Sequence, residues 1–383
     1  MNLKPTTQES SLESIERRFV SLLSPTAGRN GAGYMPTQGI YHHGKGSQPK
    51  TAIIATHYNV DFSEHYMGEL MAARGYGFLG WNTRFRGLEY AFTLDNALVD
   101  IGVGVRWLRE EAGVERVVLL GNSGGGSLMA AYQSQAVDPN LVPLLGAPVS
   151  DAALELLPAD FYVSTNAHPG RPEVLTDWFD PSITDETDPT SVDPALDMYN
   201  PENGPPYSAE FMKRYRAAQV ARNHRITDRA LEELDRVRAA GCLDRVFNLH
   251  RAWADPRLLD GSLDPNDREV GVCYLGPPKI FNYSPFGIGN SNTIRTWLSM
   301  WSLKTSQCRA IPHLERIRVP SLVVQSMADT GVFPVDAHTL HDNLATDDKT
   351  LEFIPGDHYL QKPANARDIV GDLVAGWLQD RGA

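Results

Sequence analysis

"VVLLGNSGGGS" (residues 117–127) runs four apolar residues into a serine ringed by glycines. The run Glu115–Leu120 reads as a buried strand, and "SLMAAYQSQA" (127–136) reads as the helix that leaves it. Between them, Gly121-Asn122-Ser123-Gly124-Gly125 spells G-x-S-x-G. In a strand–turn–helix context this pattern holds a serine in a strained turn at the carboxyl end of a sheet. Its Oγ then faces a crevice, and the amide N–H of the next residue, Gly124, faces a developing negative charge. Gly121 and Gly125 are expected to be glycine because strand and helix approach closely there. The plainer reading is a glycine turn with an incidental serine, and the strand before and helix after argue against it.

Around this turn the chain alternates strands and helices. "TAIIATHY" (51–58) and "GYGFLGWN" (75–82) read as strands, with helical "EHYMGELMAARG" between them. "NALVDIGVGVRWLREEAG" (96–113) reads as a helix, and "LVPLLGAPVS" (141–150) as a further strand. After a long interruption the rhythm returns at "PSLVVQS" (320–326) and "TLEFIPG" (350–356), and it ends in the helix "ARDIVGDLVAGWLQ" (366–379). Strands that are apolar throughout and alternate with helices predict an α/β fold, a parallel sheet covered on both faces. The spacing in "SSLESIERRFVSLL" (10–23) predicts an amphipathic N-terminal helix. The predicted organisation is a core of residues 1–150 and 313–383, with residues 151–312 as a mainly helical and irregular insertion.

Composition narrows the classes of function. The 383 residues carry a net charge of −12 and no basic block, which argues against nucleic acid or an anionic membrane as partner. Cys242, Cys273 and Cys308 are few and widely spaced, so neither a disulfide framework nor a zinc site is expected. With no apolar leader and no span-length apolar run, a cytoplasmic location is expected.

A serine hydroxyl needs a base to act as a nucleophile. His358, in "FIPGDHYLQKP" just after the last strand, is the candidate. His42 and His43 are adjacent on a strand and point to opposite faces. His65 reads as a surface or helix-start residue. His168, His224, His250, His313, His338 and His341 sit in helical or insertion contexts and read as surface residues. The histidine needs a carboxylate to orient it. Asp329, after "SLVVQS", gives the order Ser123, Asp329, His358. Asp151, at the end of "LVPLLGAPVS", is the alternative acid, and Asp357 adjoins the histidine and reads as facing away.

On "GNSGGG" (121–126), "SMADTGVFP" (326–334), "GDHY" (356–359) and the turn "WNTRFRG" (81–87), the chain resembles the α/β-hydrolase superfamily, in its serine-nucleophile branch. The resemblance covers about residues 36–150 and 313–383. It implies a mostly parallel sheet of about eight strands, a lid formed by the insertion, and no cofactor or metal. The lipase H-G-G-G signature is absent, and the loop in its place reads "ATHYNVDF" (55–62). The second oxyanion donor is therefore sought at the backbone N–H of Tyr58 or Asn59, or at the Tyr58 hydroxyl as in the prolyl-oligopeptidase-like and cocaine-esterase-like branches. Tyr58 packing as a plain aromatic is the competing reading.

Within the insertion, "TIRTWLSMWSL" places Trp297, Met300 and Trp301 near one helix face. That face either docks the insertion on the sheet or roofs an apolar substrate pocket. Acidic "DPSITDETDPTSVDP" (180–194) lacks the glycine and ligand spacing of a calcium loop and reads as solvated. These readings converge on hydrolysis of a carboxylic ester of a medium-sized apolar substrate through an acyl-enzyme. Thioester or carbon–carbon (ketone) hydrolysis would use the same residues, and a non-catalytic binding protein on the same fold is the alternative from another class. The expected partner is a small-molecule substrate, with a homodimer left open.

Overall fold

The computed structural model describes residues 14–27, 35–144 and 148–383. An eight-stranded sheet forms its centre. In chain order the strands are β1 (Ile15–Leu22), β2 (Thr37–Gly44), β3 (Thr51–Ala55), β4 (Gly77–Asn82), β5 (Arg116–Asn122), β6 (Phe161–Thr165), β9 (Ser321–Ser326) and β10 (Lys349–Ile354). Two further strands, β7 (Val246–Asn248) and β8 (Ser291–Thr293), form a separate antiparallel ribbon. The order across the sheet is β1-β2-β4-β3-β5-β6-β9-β10. β2 pairs antiparallel with both its neighbours, and every other pairing is parallel.

Alternation along the central strands builds two apolar layers. Ile54, Leu79 and Leu119 face one layer, which includes buried residues of the helices Leu94–Glu110 and Gly125–Val137. Ile53, Phe78, Val118 and Leu120 face the other, beneath the helices Met67–Ala73 and Ala366–Gln379. The "WNTRFRG" turn is tied down by Arg84, which pairs with the fully buried Asp100 at 2.6 Å.

Three expectations are corrected. The predicted N-terminal helix is strand β1 over its described part, paired along its whole length with β2. Its helix-like spacing buries only Val20, while Phe19 remains 65% exposed. The segment "LVPLLGAPVS" forms no strand in its described residues, and residues 145–147 lie outside them. The strand following the elbow is instead β6, "FYVST", which lies between β5 and β9. The insertion predicted to begin at residue 151 therefore contains one central strand, and the excursion from the sheet runs from residue 166 to about the start of β9.

That excursion returns repeatedly to the carboxyl ends of the strands. It holds the helix Arg171–Trp178, the 31-residue helix Ala209–Ala239 and the short turns around Trp297–Trp301. Asn266 donates to the carbonyl of Asp329 at 2.9 Å, and the Asp267 N–H donates to Met327 at 2.7 Å. The acidic segment 180–194 is not wholly solvated, because Asp180 is fully buried in an ion pair with buried Arg251. Among the described residues, no group of three His, Cys, Asp or Glu is placed to hold a metal, and no helix is long and apolar enough to cross a membrane.

Candidate active site

Ser123 sits between the end of β5 and the helix Gly125–Val137, with φ of 55°. A non-glycine residue in this left-handed region costs free energy and persists only when its surroundings hold it. Here the Ser123 N–H donates to Thr165 O at 3.2 Å, and its carbonyl accepts from Gly126 at 3.2 Å and His168 at 3.1 Å. The close approach predicted for Gly121 and Gly125 is present. A Cβ on Gly121 would lie 2.5 Å from Gly126 Cα, and one on Gly125 would lie 2.4 Å from Thr56 O. Ser123 is partly open while both its neighbours are buried.

β9 and β10 are adjacent and in register, Ser326 opposite Ile354, so the loops leaving their ends start side by side. Those loops bring Asp329 and His358 together: His358 Nδ1 lies 2.7 Å from Asp329 Oδ2. The other carboxylate oxygen of fully buried Asp329 accepts from the N–H groups of Gly331 and Val332, at 2.9 and 3.0 Å. A carboxylate satisfied in this way holds the imidazole proton on Nδ1 and leaves Nε2 as an acceptor. Tyr274 from the insertion lays its ring against the imidazole, centroids 4.2 Å apart, with its hydroxyl 3.4 Å from Asp329 Oδ1. Asn166, just beyond β6, ties the end of β9 to the His358 loop. It donates to His358 O at 3.1 Å and accepts from Ser326 N at 2.7 Å.

The other singled-out residues separate. Asp151 is exposed in a short 3₁₀ turn, Asp151–Ala153, and has no contact with His358. Trp297 and Met300 are fully buried in the core layer, where the Trp297 indole N–H donates to Thr227 at 3.0 Å. Trp301 is also fully buried, but its ring lies under the Arg171 guanidinium at 4.5 Å. Tyr58 is fully buried with its hydroxyl 3.0 Å from Ser127 Oγ, so that group is engaged below the elbow by the helix that follows it. Asn59 is half-buried, and its carbonyl accepts from Gly87 at 2.9 Å.

Several residues beside Ser123 escaped the sequence reading. A Cβ on Gly124 would lie 2.8 Å from both Arg171 Nη1 and His57 Nε2, so these two side chains occupy the space a side chain at 124 would fill. His57 directly precedes Tyr58 in the loop after β3. Its Nδ1 lies 3.4 Å from Val60 N. Burial, with the Arg171 charge next, holds its imidazole well below the ordinary range and so neutral. His168 and His65, expected at the surface, are buried. The His168 ring lies 6.5 Å from that of His358, and His65 reaches Asn122 Oδ1 at 3.2 Å. The position of His57 at the end of a central strand was a usable signal. Arg171 had none, because nothing local to it points at residue 124.

No family model matches the sequence, and no curated protein matches it. Solved structures do match its fold. The α/β hydrolase GrgF from Penicillium sp. sh18 is 11% identical, over 95% of this chain and 98% of that one, with a TM-score of 0.51. Est1E from Butyrivibrio proteoclasticus is 10% identical, over 94% and 98%, with a TM-score of 0.50. DcsB, solved in complex with its substrate analogue, is 11% identical, over 95% and 99%, with a TM-score of 0.50. Mostly parallel strands in the order β1-β2-β4-β3-β5-β6-β9-β10, helices on both faces and these likenesses identify the fold of this chain as the α/β-hydrolase fold.

Proposed function

We propose that the protein is a serine hydrolase that cleaves a carboxylic ester through an acyl-enzyme. The observation that carries this reading is the 2.7 Å contact between buried Asp329 and His358, together with a serine at φ 55° whose carbonyl accepts from His168, the ring of which lies 6.5 Å from that of His358. A buried carboxylate aimed at an imidazole is costly unless its charge is used, and a strained serine needs a reason to persist. In this reading Ser123 Oγ attacks the ester carbonyl as His358 Nε2 takes its proton. Asp329 holds the ring and stabilises the imidazolium. The Gly124 N–H, at the start of the helix Gly125–Val137, receives the oxyanion, with the Tyr58/Asn59 loop supplying the second donor. His358 returns the proton to the leaving alcohol, and water then releases the acid by the same route. The excursion that begins at residue 166 acts as the lid, since Tyr274 and His168 both border His358. No cofactor is required for these steps.

The test is covalent. A fluorophosphonate probe should label the protein at Ser123 and fail to label Ser123→Ala. Turnover of a panel of short esters should fall by about 10⁴-fold or more in that variant, because the three groups act as a unit. Retention of a tenth of the activity would exclude Ser123 as the nucleophile. A protein that neither labels nor turns over any ester or thioester would be a binding protein on this fold.

A further inference from the structure

The feature of the crevice that the reaction above leaves unused is Arg171. It begins the helix Arg171–Trp178 and is 3% exposed, on a chain whose net charge is −12. Its guanidinium is fixed between two rings, Tyr58 at 5.0 Å and Trp301 at 4.5 Å. Glu89 takes one nitrogen, Nη2, at 3.1 Å, and is itself steadied by the Gly289 N–H at 3.2 Å. Among the described residues Glu89 is the only hydrogen-bond partner of this group, and Nε is buried with none. Nη1 lies against Gly124, 2.8 Å from where a Cβ there would sit, with no hydrogen-bond partner among the described residues. A buried guanidinium with unused donors is costly unless something completes it.

The neighbours of Nη1 are polar and basic. The Nε2 edge of His57 shares the space over Gly124. Burial first, and then the basic side chains around it, hold the nearby His168 imidazole well below its ordinary range. Arg257 is paired with Asp255 and Asp177, and among the described residues the only carboxylates in hydrogen-bond contact with Arg171, His57, His168 or His358 are Asp329, which is committed to His358, and Glu89, which covers one edge of Arg171. A fixed positive charge with free N–H donors one residue from the nucleophile is a receptor for an anion borne by the substrate.

We propose that Arg171, with His57 as a neutral second donor, receives a carboxylate on the acyl part of the substrate, so that the preferred esters are half-esters of short dicarboxylic acids. The inference rests on the serine-hydrolase reading and adds the substrate class to it. Because Arg171 faces the residue that follows Ser123, the carboxylate must lie only a few bonds from the ester carbonyl. A long neutral acyl chain would leave the guanidinium uncompleted.

The decisive comparison uses ethyl hydrogen succinate and its uncharged isostere ethyl succinamate, with fluorophosphonate labelling of the same preparations. Wild-type protein should prefer the carboxylate by about 10- to 100-fold in kcat/KM, as expected for a charge-assisted hydrogen bond. Arg171→Met should bring that ratio to within about threefold of unity, whereas Arg171→Lys should keep part of it. Since Arg171→Met strands Glu89, the double variant Arg171→Met/Glu89→Gln is measured beside it, with thermal melting to check the fold. A labelled wild-type protein without the preference, or a preference that survives in both methionine variants, overturns the proposal and leaves the hydrolase reading standing. If the wild-type protein is not labelled and turns over neither ester, calorimetry on Ser123→Ala decides. Tighter binding of the half-ester than of the amide supports the anion site without the hydrolase, and equal binding overturns the anion site.

Discussion

On one flank of Ser123, Asp329 and His358 come from loops that leave two adjacent, in-register strands. On the other flank, Arg171 and His57 meet over Gly124 from separate segments, and Glu89 and Trp301, from two more, hold Arg171. The first flank is built by sheet topology: once β9 and β10 pair, residues three or four positions beyond their ends have to meet. The second depends on how the insertion lies across the sheet. A pairing that topology enforces is available to every chain with this fold. One that rests on an insertion is particular to this chain, and that is where substrate choice should reside.

The sharpest way to break the first flank is Asp329→Asn. It should lower turnover by about 10⁴-fold with little change in KM, because the histidine loses its oriented tautomer. Asp151→Asn, at an exposed turn on no path to His358, should stay near wild type. Reversed effects would move the acid to residue 151. The second flank is probed by Gly124→Ala. Its Cβ would lie 2.8 Å from Arg171 Nη1 and His57 Nε2, so one or both must shift. A loss of about 10²-fold in kcat/KM is expected, the scale of an ångström-sized misplacement. A fully active Gly124→Ala would mean that neither side chain is held where turnover needs it.

Tyr58→Phe gives a smaller effect and decides between the oxyanion readings. The Tyr58 hydroxyl is bonded to Ser127, so its removal should cost about 1 kcal/mol of stability and less than about tenfold in turnover. A drop of about 10²–10³ with unchanged KM would instead make that hydroxyl the second oxyanion donor.

The smallest effect lies away from Ser123. Burial raises the Asp336 carboxyl from 3.8 to about 7, although Arg257 opposes the shift. A carboxyl raised on folding stabilises the protein fully below its unfolded value and loses that contribution as pH rises through the folded one. Urea midpoints should therefore fall between about pH 4 and pH 7, and Asp336→Asn, which keeps an acceptor for the Phe333 N–H, should flatten that slope. An unchanged slope would assign the pH dependence to other groups.

The misread elements show where sequence patterns stop being informative. Ile15, Phe19 and Leu22 have helical spacing, yet the segment is an edge strand, because β2 offers it a continuous hydrogen-bonding partner and its charged residues suit an edge. β6 is only five residues long and lies among prolines and acidic loops, so nothing local separated it from the insertion. His168 looked like a surface residue because its burial comes from Trp178 and the elbow. Asp180 looked like part of a solvated loop because its partner, Arg251, lies 71 residues away.

The sequence by itself determined the α/β alternation, the strand–turn–helix around Ser123 and the two loops that carry Asp329 and His358. Those features are local: periodicity, glycines where backbones touch, and polar residues just past strand ends. Only the tertiary structure decided that the Tyr58 hydroxyl turns to Ser127, that Trp297 and Met300 are core, and that His57 and Arg171 fill the space over Gly124. These are contacts between segments distant in the chain. Their geometry follows from how the loops, helices and insertion pack on the sheet, and no short window of residues encodes it.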